Sequence, residues 1–313
     1  MNIRELSESL GYDAAGELNV EITGISYANL ARPSDIAVIR KRRELDSTAS
    51  RILLMEPFCI ITDARSVIYT HEPIYNASVN VAKELMAAGV CPDYSRHGRL
   101  KPTASGAYIG EGAQIGGNVQ LEVGAVIHDN ALIGDNCRIG SHTIVHGGVS
   151  IACNVTIGAN CSIGADALFR YKKDGRWRLF CGIGGVSIGE GVSIGNSVNV
   201  QRGTFADTKI GSFSTLGNLI DVGHDVTIGE DCFIVSQTGF AGNVAIGNNV
   251  TIYGQVGISN DVRIGNGVTV HAQSMVANDV ADFEEVSGYY SMRHKDELHL
   301  LAEMRRKFIK KEI

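Results

Sequence analysis

From Ile109 onward the chain places an aliphatic residue at every sixth position, without a break to Ile163. The series resumes at Ile188, Ile194 and Val200 and, after a shorter slip, runs from Ile210 to Val276. Of these 25 positions only Phe240 is not Ile, Leu or Val. The fourth residue after each is usually small or β-branched, as at Ala113, Val119, Cys137 and Thr143, and Gly often follows directly, as at Gly110, Gly134, Gly158 and Gly229. Neither the period of 2 of an ordinary strand nor the 3.6 of a helix produces a strict six. A hexapeptide repeat predicts a parallel β-helix with one short strand and one turn per repeat, and three repeats make one coil, so about eight coils fit. Gly and Asn are expected at the turn positions that need positive φ. Each coil touches only its neighbours, so both ends need caps.

The flanks lack the repeat. Residues 1–100 read as a small α/β domain, with helices over Ile3–Leu10 and near Tyr75–Ala88 and strands over Val20–Ile25 and Ile52–Ile61. Residues 101–282 form the β-helix and residues 283–313 a helical segment, giving a mostly β chain. In that last segment Leu298, Leu301, Met304 and Phe308 fall on one stripe and Arg305, Arg306, Lys307, Lys310 and Lys311 on another face. Two interruptions, Ala167–Gly185 and Gly203–Lys209, are expected to project as loops, where sites tend to form on rigid scaffolds.

Composition narrows the class. A net charge of −6 argues against nucleic-acid binding, which rests on Lys and Arg neutralising phosphates. With 37 Gly but 5 Pro the chain is neither collagen-like nor Pro-rich and disordered. No apolar run is long enough to span a membrane, and the charged start MNIRELSESLGYD is unlike a secretory signal. The seven Cys, at 59, 91, 137, 153, 161, 181 and 232, lack zinc-type spacing and are expected as small buried free thiols in a reducing cytosol, which places the protein in the cytoplasm.

Candidate chemistry centres on histidine. His224 lies two residues after Val222 at an outward turn, and one coil on from it stands Gly242. A base beside an unobstructed glycine N–H suits acyl transfer: the imidazole takes a proton from an attacking amine and the N–H holds the oxyanion. On spacing alone a solvated turn histidine fits equally. His128 and His146 are also one coil apart, with His142 nearby. Three imidazoles on stacked turns suggest a zinc enzyme of the γ-type carbonic anhydrase class as the alternative, against stacked surface histidines. The other histidines (71, 97, 271, 294, 299) form no pattern, and no nucleophile elbow, P-loop or Rossmann fingerprint is present.

The stretch from Gly164 to Asp225 goes further. It carries GAD (Gly164–Asp166), DGRW (Asp174–Trp177), GGVSIG (Gly184–Gly189), RG (Arg202–Gly203), DTKIG (Asp207–Gly211), Asn218 and VGHDVTIG (Val222–Gly229) in series. This order closely resembles the UDP-3-O-(3-hydroxyacyl)glucosamine N-acyltransferase family of lipid A synthesis, as do EITGI and LARPSDI within Glu21–Ile36. The resemblance implies a left-handed β-helix homotrimer with sites at subunit clefts. It implies transfer of an acyl group from acyl carrier protein to the amine of a nucleotide-linked glucosamine, with no bound cofactor or metal. His224 matches the family's base and Gly242 its oxyanion glycine; Asn218, with Asp221 and Asp261, is assigned to the substrate. Residues 1–100 then supply nucleotide-sugar contacts. Several positions depart from the family. Val38 and Glu44 stand where aromatic residues stack on uracil, leaving Arg40, Lys41, Arg42 and Arg43 to meet phosphates. Asp166–Arg170 replaces a glycine-rich stretch, Asp261 a second histidine, and Gln201 an aspartate. These departures suggest a related reaction, a dTDP- or UDP-dideoxyaminosugar acylated from a short acyl-coenzyme A. The basic residues Arg305 and Arg306 suggest instead an acidic acyl carrier protein.

Overall fold

The structure is a computed structural model that describes residues 1–57, 65–94, 98–288 and 293–308. A left-handed parallel β-helix occupies the chain from Tyr108 to Val286. Its strands stack on three faces as sheets of ten, eight and nine strands, the first including one antiparallel strand, Leu100–Pro102, against Tyr108–Gly110. The register advances one coil at a time, pairing Val126 with Ile144 and Ile127 with Val145. All the sixfold positions are buried except Ile109, Ile115 and Leu121, which line the first coil and have no coil beneath them.

Among non-glycine residues asparagine is the commonest at turns with positive φ, as at Asn118, Asn136, Asn154, Asn243 and Asn249. The amide of Asn118 donates to that of Asn136 one coil on, at 3.0 Å, so the turn residues also tie the stack together. Glycines that follow the aliphatic residue have a different reason. Gly134 and Gly229 do not have positive φ; a Cβ there would come within 2.8 Å of the Ala152 carbonyl carbon and 2.4 Å of the Gly247 oxygen. They let the next coil approach, whereas Gly124, Gly148, Gly191 and Gly267 take the positive φ expected of turn glycines.

The N-terminal domain comprises α1 (Ile3–Leu10), β1 (Asp13–Ala15), β2 (Gly24–Tyr27), β3 (Asp35–Ile39), β4 (Ile52–Met55), β5 (Ser66–Tyr69) and α2 (Ile74–Ala87). Asn2 caps α1 with Glu5 in a reciprocal capping box, and Gly11 ends it in the left-handed conformation. The sheet order is β1-β5-β4-β3-β2, parallel except for β1. The expected strand over Val20–Ile25 starts later, at Gly24, and that over Ile52–Ile61 stops at Met55, with residues 58–61 outside the described residues. The domain packs on the side of the β-helix, where Tyr27 shares a core with Phe169, Phe180 and Phe205.

The first interruption projects as a hairpin, Phe169–Lys173 paired with Arg176–Phe180. Its root is held by α2: Tyr75 meets Phe169 edge-on at 5.7 Å, and Lys83 Nζ donates to the Tyr171 hydroxyl at 2.8 Å. The second interruption does not project, because Gly203, Thr204, Phe205 and Thr208 are buried against the turn that follows Val222. The C-terminal helix α3 (His294–Phe308) leaves Leu298, Leu301 and Met304 exposed. No helix among the described residues is long and apolar enough to cross a membrane. Cys91, Cys137, Cys161 and Cys232 are buried free thiols as expected, but Cys153 is half-buried and Cys181 exposed; Cys59 lies outside the described residues.

Candidate active site

His224 is not a solvated turn residue. Its side chain is only 13% exposed, and Nδ1 lies 2.8 Å from Asp225 Oδ2 and 3.1 Å from Thr204 Oγ1. Asp225, fully buried, is committed as an acceptor: Oδ1 takes the N–H of Thr204 at 2.9 Å and those of Phe205 and Ala206 at 3.4 Å. The second interruption therefore wraps the carboxylate. A carboxylate facing Nδ1 places the imidazole proton there and leaves the Nε2 lone pair available, the tautomer a general base requires. Phe169 adds an edge-on ring at 5.8 Å.

The His224 ring lies over Gly242, one coil on. A Cβ at Gly242 would lie 2.5 Å from His224 Cε1 and 2.6 Å from Nε2, so only glycine fits beneath the ring. Among the described residues no acceptor takes the Gly242 N–H. The spacing of one coil between the two positions is thus realised as direct contact.

The N-terminal domain reaches this site. The Tyr27 hydroxyl donates to Asp225 Oδ2 at 3.4 Å; burial, reinforced by the Asp225 charge, pushes its pKa well above the ordinary phenol value and keeps it a donor. Arg40 lies over the Tyr27 ring at 5.1 Å and pairs with Asp261 at 3.0 Å and Glu44 at 3.1 Å. Burial opposes the Arg40 charge, but Glu44 and Asp261 outweigh it and raise its pKa. Between domain and β-helix lies a cleft of about 850 Å³, with Arg40, Lys41 and Arg43 on one wall and Asp225, Asn243, Asp261 and Arg263 on the other. Its described lining includes no aromatic residue. Val38 is buried in β3 and Glu44 is held by Arg40, so neither offers a ring-like surface to the cleft.

The remaining assigned residues are dispersed. Asp221 is exposed on the strand entering the His224 turn and accepts from Asn199 Nδ2 at 2.6 Å. Asn218 is on the preceding corner, its Oδ1 accepting the Asn196 N–H at 2.7 Å, and one chain does not bring it to His224. Asp261 stands two coils beyond Asp225 and accepts from the Asn243 amide. Arg305 and Arg306 are exposed on α3. His128 and His146 stack at 5.5 Å, and His142 stands on a different corner, beside Gly124. The three imidazoles do not converge, and among the described residues no group of three or more His, Cys, Asp or Glu could hold a metal ion. No repeat position or spacing points to Tyr27 or Thr204, and Asp225 is visible in the sequence only as a charged neighbour of His224.

Residues 106–147 match the family model described as bacterial transferase hexapeptide (six repeats). Over 60 residues the chain is 37% identical to the UDP-3-O-acylglucosamine N-acyltransferase of Campylobacter curvus, a match spanning 19% of this chain and 19% of that protein. Among solved structures it is similar to LpxA from Acinetobacter baumannii, at 26% identity and TM-score 0.54 over 65% of this chain and 76% of that one. A UDP-N-acetylglucosamine acyltransferase from Bacteroides fragilis shares the fold, at 24% identity and TM-score 0.53 over 66% and 78%.

Proposed function

Taking the chain as a hexapeptide-repeat protein, we propose that it is an N-acyltransferase acting on a nucleotide-linked amino sugar, with an acyl thioester as donor. The observation that carries this reading is the His224 ring, held at Nδ1 by Asp225 and seated directly over Gly242, beside a cleft with Arg40, Lys41 and Arg43 on one wall. In this reading the ammonium first loses a proton to solvent; the neutral amine then attacks the thioester carbonyl, His224 takes the proton the nitrogen sheds as the C–N bond forms, and the Gly242 N–H receives the oxyanion. The imidazolium then returns its proton to the departing thiolate. Asp225 holds the ring through both transfers, and no step calls for a metal or bound cofactor. Lys41 and Arg43 would meet the diphosphate from the cleft wall, with Asp261 toward the sugar. Beside His224 the outward positions Gly239 and Gly257 carry no side chain, and Met275 follows. That bare strip suits an acyl chain.

Three copies of the chain are proposed to share the sites, which would bring Asn218 of one copy toward His224 of another. The outward positions Tyr108, Val126 and Ile144 offer an apolar row for such contact. Arg305 and Arg306 favour an acidic acyl carrier protein over coenzyme A, and the reaction is placed in the cytoplasm, in lipid A synthesis or a related glycan pathway. Mass spectrometry of UDP- and dTDP-amino sugars incubated with acyl carrier protein and coenzyme A donors tests the reading. An N-acylated sugar nucleotide is expected; none with any pair would remove it. Light scattering should give a trimer, and a monomer at micromolar concentration would count against shared sites.

A further inference from the structure

The projecting hairpin carries a charge and an exposure that the proposed chemistry does not use. Arg170, Lys172, Lys173, Arg176 and Arg178 face the single acid Asp174 within twelve residues of a chain whose net charge is −6. Phe169, Tyr171 and Phe180 turn inward, where they are buried. The alternation of a two-stranded ribbon therefore sends Arg170, Lys172, Trp177 and Leu179 to the other face. There Trp177 is 62% exposed, Leu179 60% and the adjoining Leu168 58%. Such a patch on an isolated finger marks an interaction surface.

We propose that this hairpin docks on an anionic lipid surface. Cations occur on both faces and at the tip: Arg170 and Lys172 flank the apolar side chains, while Lys173, Arg176 and Arg178 lie on the opposite face beyond the buried root. A protein partner engages one side of a finger, whereas a fluid layer of anionic headgroups meets all sides of an inserted tip. Trp177 has the amphipathic ring favoured at the membrane–water boundary, and Lys172 Nζ, 5.0 Å from its centroid, keeps a charge at headgroup depth. Leu168 and Leu179 supply apolar area beside it. The attachment is peripheral and salt-sensitive, because it rests on charges near the surface.

Trp177 is the only tryptophan in the chain, so its fluorescence reports on this hairpin alone. Full-length protein is titrated with vesicles of phosphatidylcholine and phosphatidylglycerol at 3:1 and of phosphatidylcholine alone. A blue shift with the anionic vesicles only, reversed by salt, is expected. Removing two cations in an Arg176→Ala/Arg178→Ala variant should weaken partition about 25-fold, at roughly fivefold for each charge near the surface. No shift and no co-sedimentation would overturn the proposal. Emission already blue-shifted without lipid would show the patch covered by another copy of the chain, and a shift with acidic acyl carrier protein but not with vesicles would make it a protein dock; either result overturns it. None of these readouts depends on acyl transfer, so the proposal and the enzymatic reading can fail separately.

Discussion

Arg40 and Asp261, 221 residues apart in the chain, meet at 3.0 Å across the cleft and close one end of it. Burial alone would raise the Asp261 pKa, but the Asn243 amide and the Arg40 charge outweigh it and hold the carboxyl below the usual range. A carboxyl with a depressed folded pKa contributes stability that is complete above its unfolded value, near 3.9, and lost as pH falls through the folded one. The clasp should therefore be intact at neutral pH and open in acid. Asp261→Asn should lower Tm at pH 7, and the difference from the wild type should shrink as pH falls below the unfolded value of about 3.9. A gap that stayed constant from pH 7 to pH 3 would mean the pair does not hold the domain.

Gly242 gives a steric test of the site. The methyl group of Gly242→Ala would collide with the His224 ring and drive it off the position in which Asp225 holds it. Loss of a positioned base costs about 10²–10⁴-fold. We expect a fall in kcat of that order, with Tm nearly unchanged because the displaced ring lies at a turn outside the aliphatic core. Full activity in the alanine variant would show that the two residues do not work together.

The open first coil predicts unequal costs for one substitution. Ile228 is 1% exposed in the middle of the stack, whereas Ile115 is only half-buried. Truncating a buried isoleucine to alanine typically costs about 2–5 kcal/mol, including the cavity left behind. Ile228→Ala should fall in that range and Ile115→Ala well below it, read from chemical denaturation at equal protein concentration. Equal costs would mean that another element, from this chain or a second copy, covers the first coil.

The β-helix was legible because every coil repeats the same burial problem, so Ile127 and Ile258 announce the same inward position in the same way. His224 and Gly242 were legible for the same reason, since one coil of spacing means adjacency. What the repeat does not encode stayed hidden. Thr204 lies in an interruption, where sequence position says nothing about which amides turn inward. Tyr27 belongs to another domain, and its meeting with Asp225 is a tertiary contact that no periodicity announces. The same holds for the seat of residues 1–100, which depends on the aromatic cluster of Phe169, Phe180 and Phe205 that this domain helps to bury.

Asp225 carries the sharpest prediction, since it serves two structures with one carboxylate. Oδ1 gathers the amides of Thr204, Phe205 and Ala206, and Oδ2 faces His224 Nδ1. In Asp225→Asn the amide oxygen can keep the backbone donors, which turns the NH2 group toward the imidazole. Nδ1 must then accept, the proton moves to Nε2, and the base is lost although nothing has moved. The expected result is a fold close to wild type in Tm with kcat reduced by about 10²–10⁴. Asp225→Ala should behave differently, because it strands three buried N–H groups at about 1–3 kcal/mol each and so loosens the loop as well. Comparing Tm and kcat for both variants at substrate saturation separates orientation from stability. If Asp225→Asn keeps more than half its kcat, the tautomer argument fails and His224 is not the base.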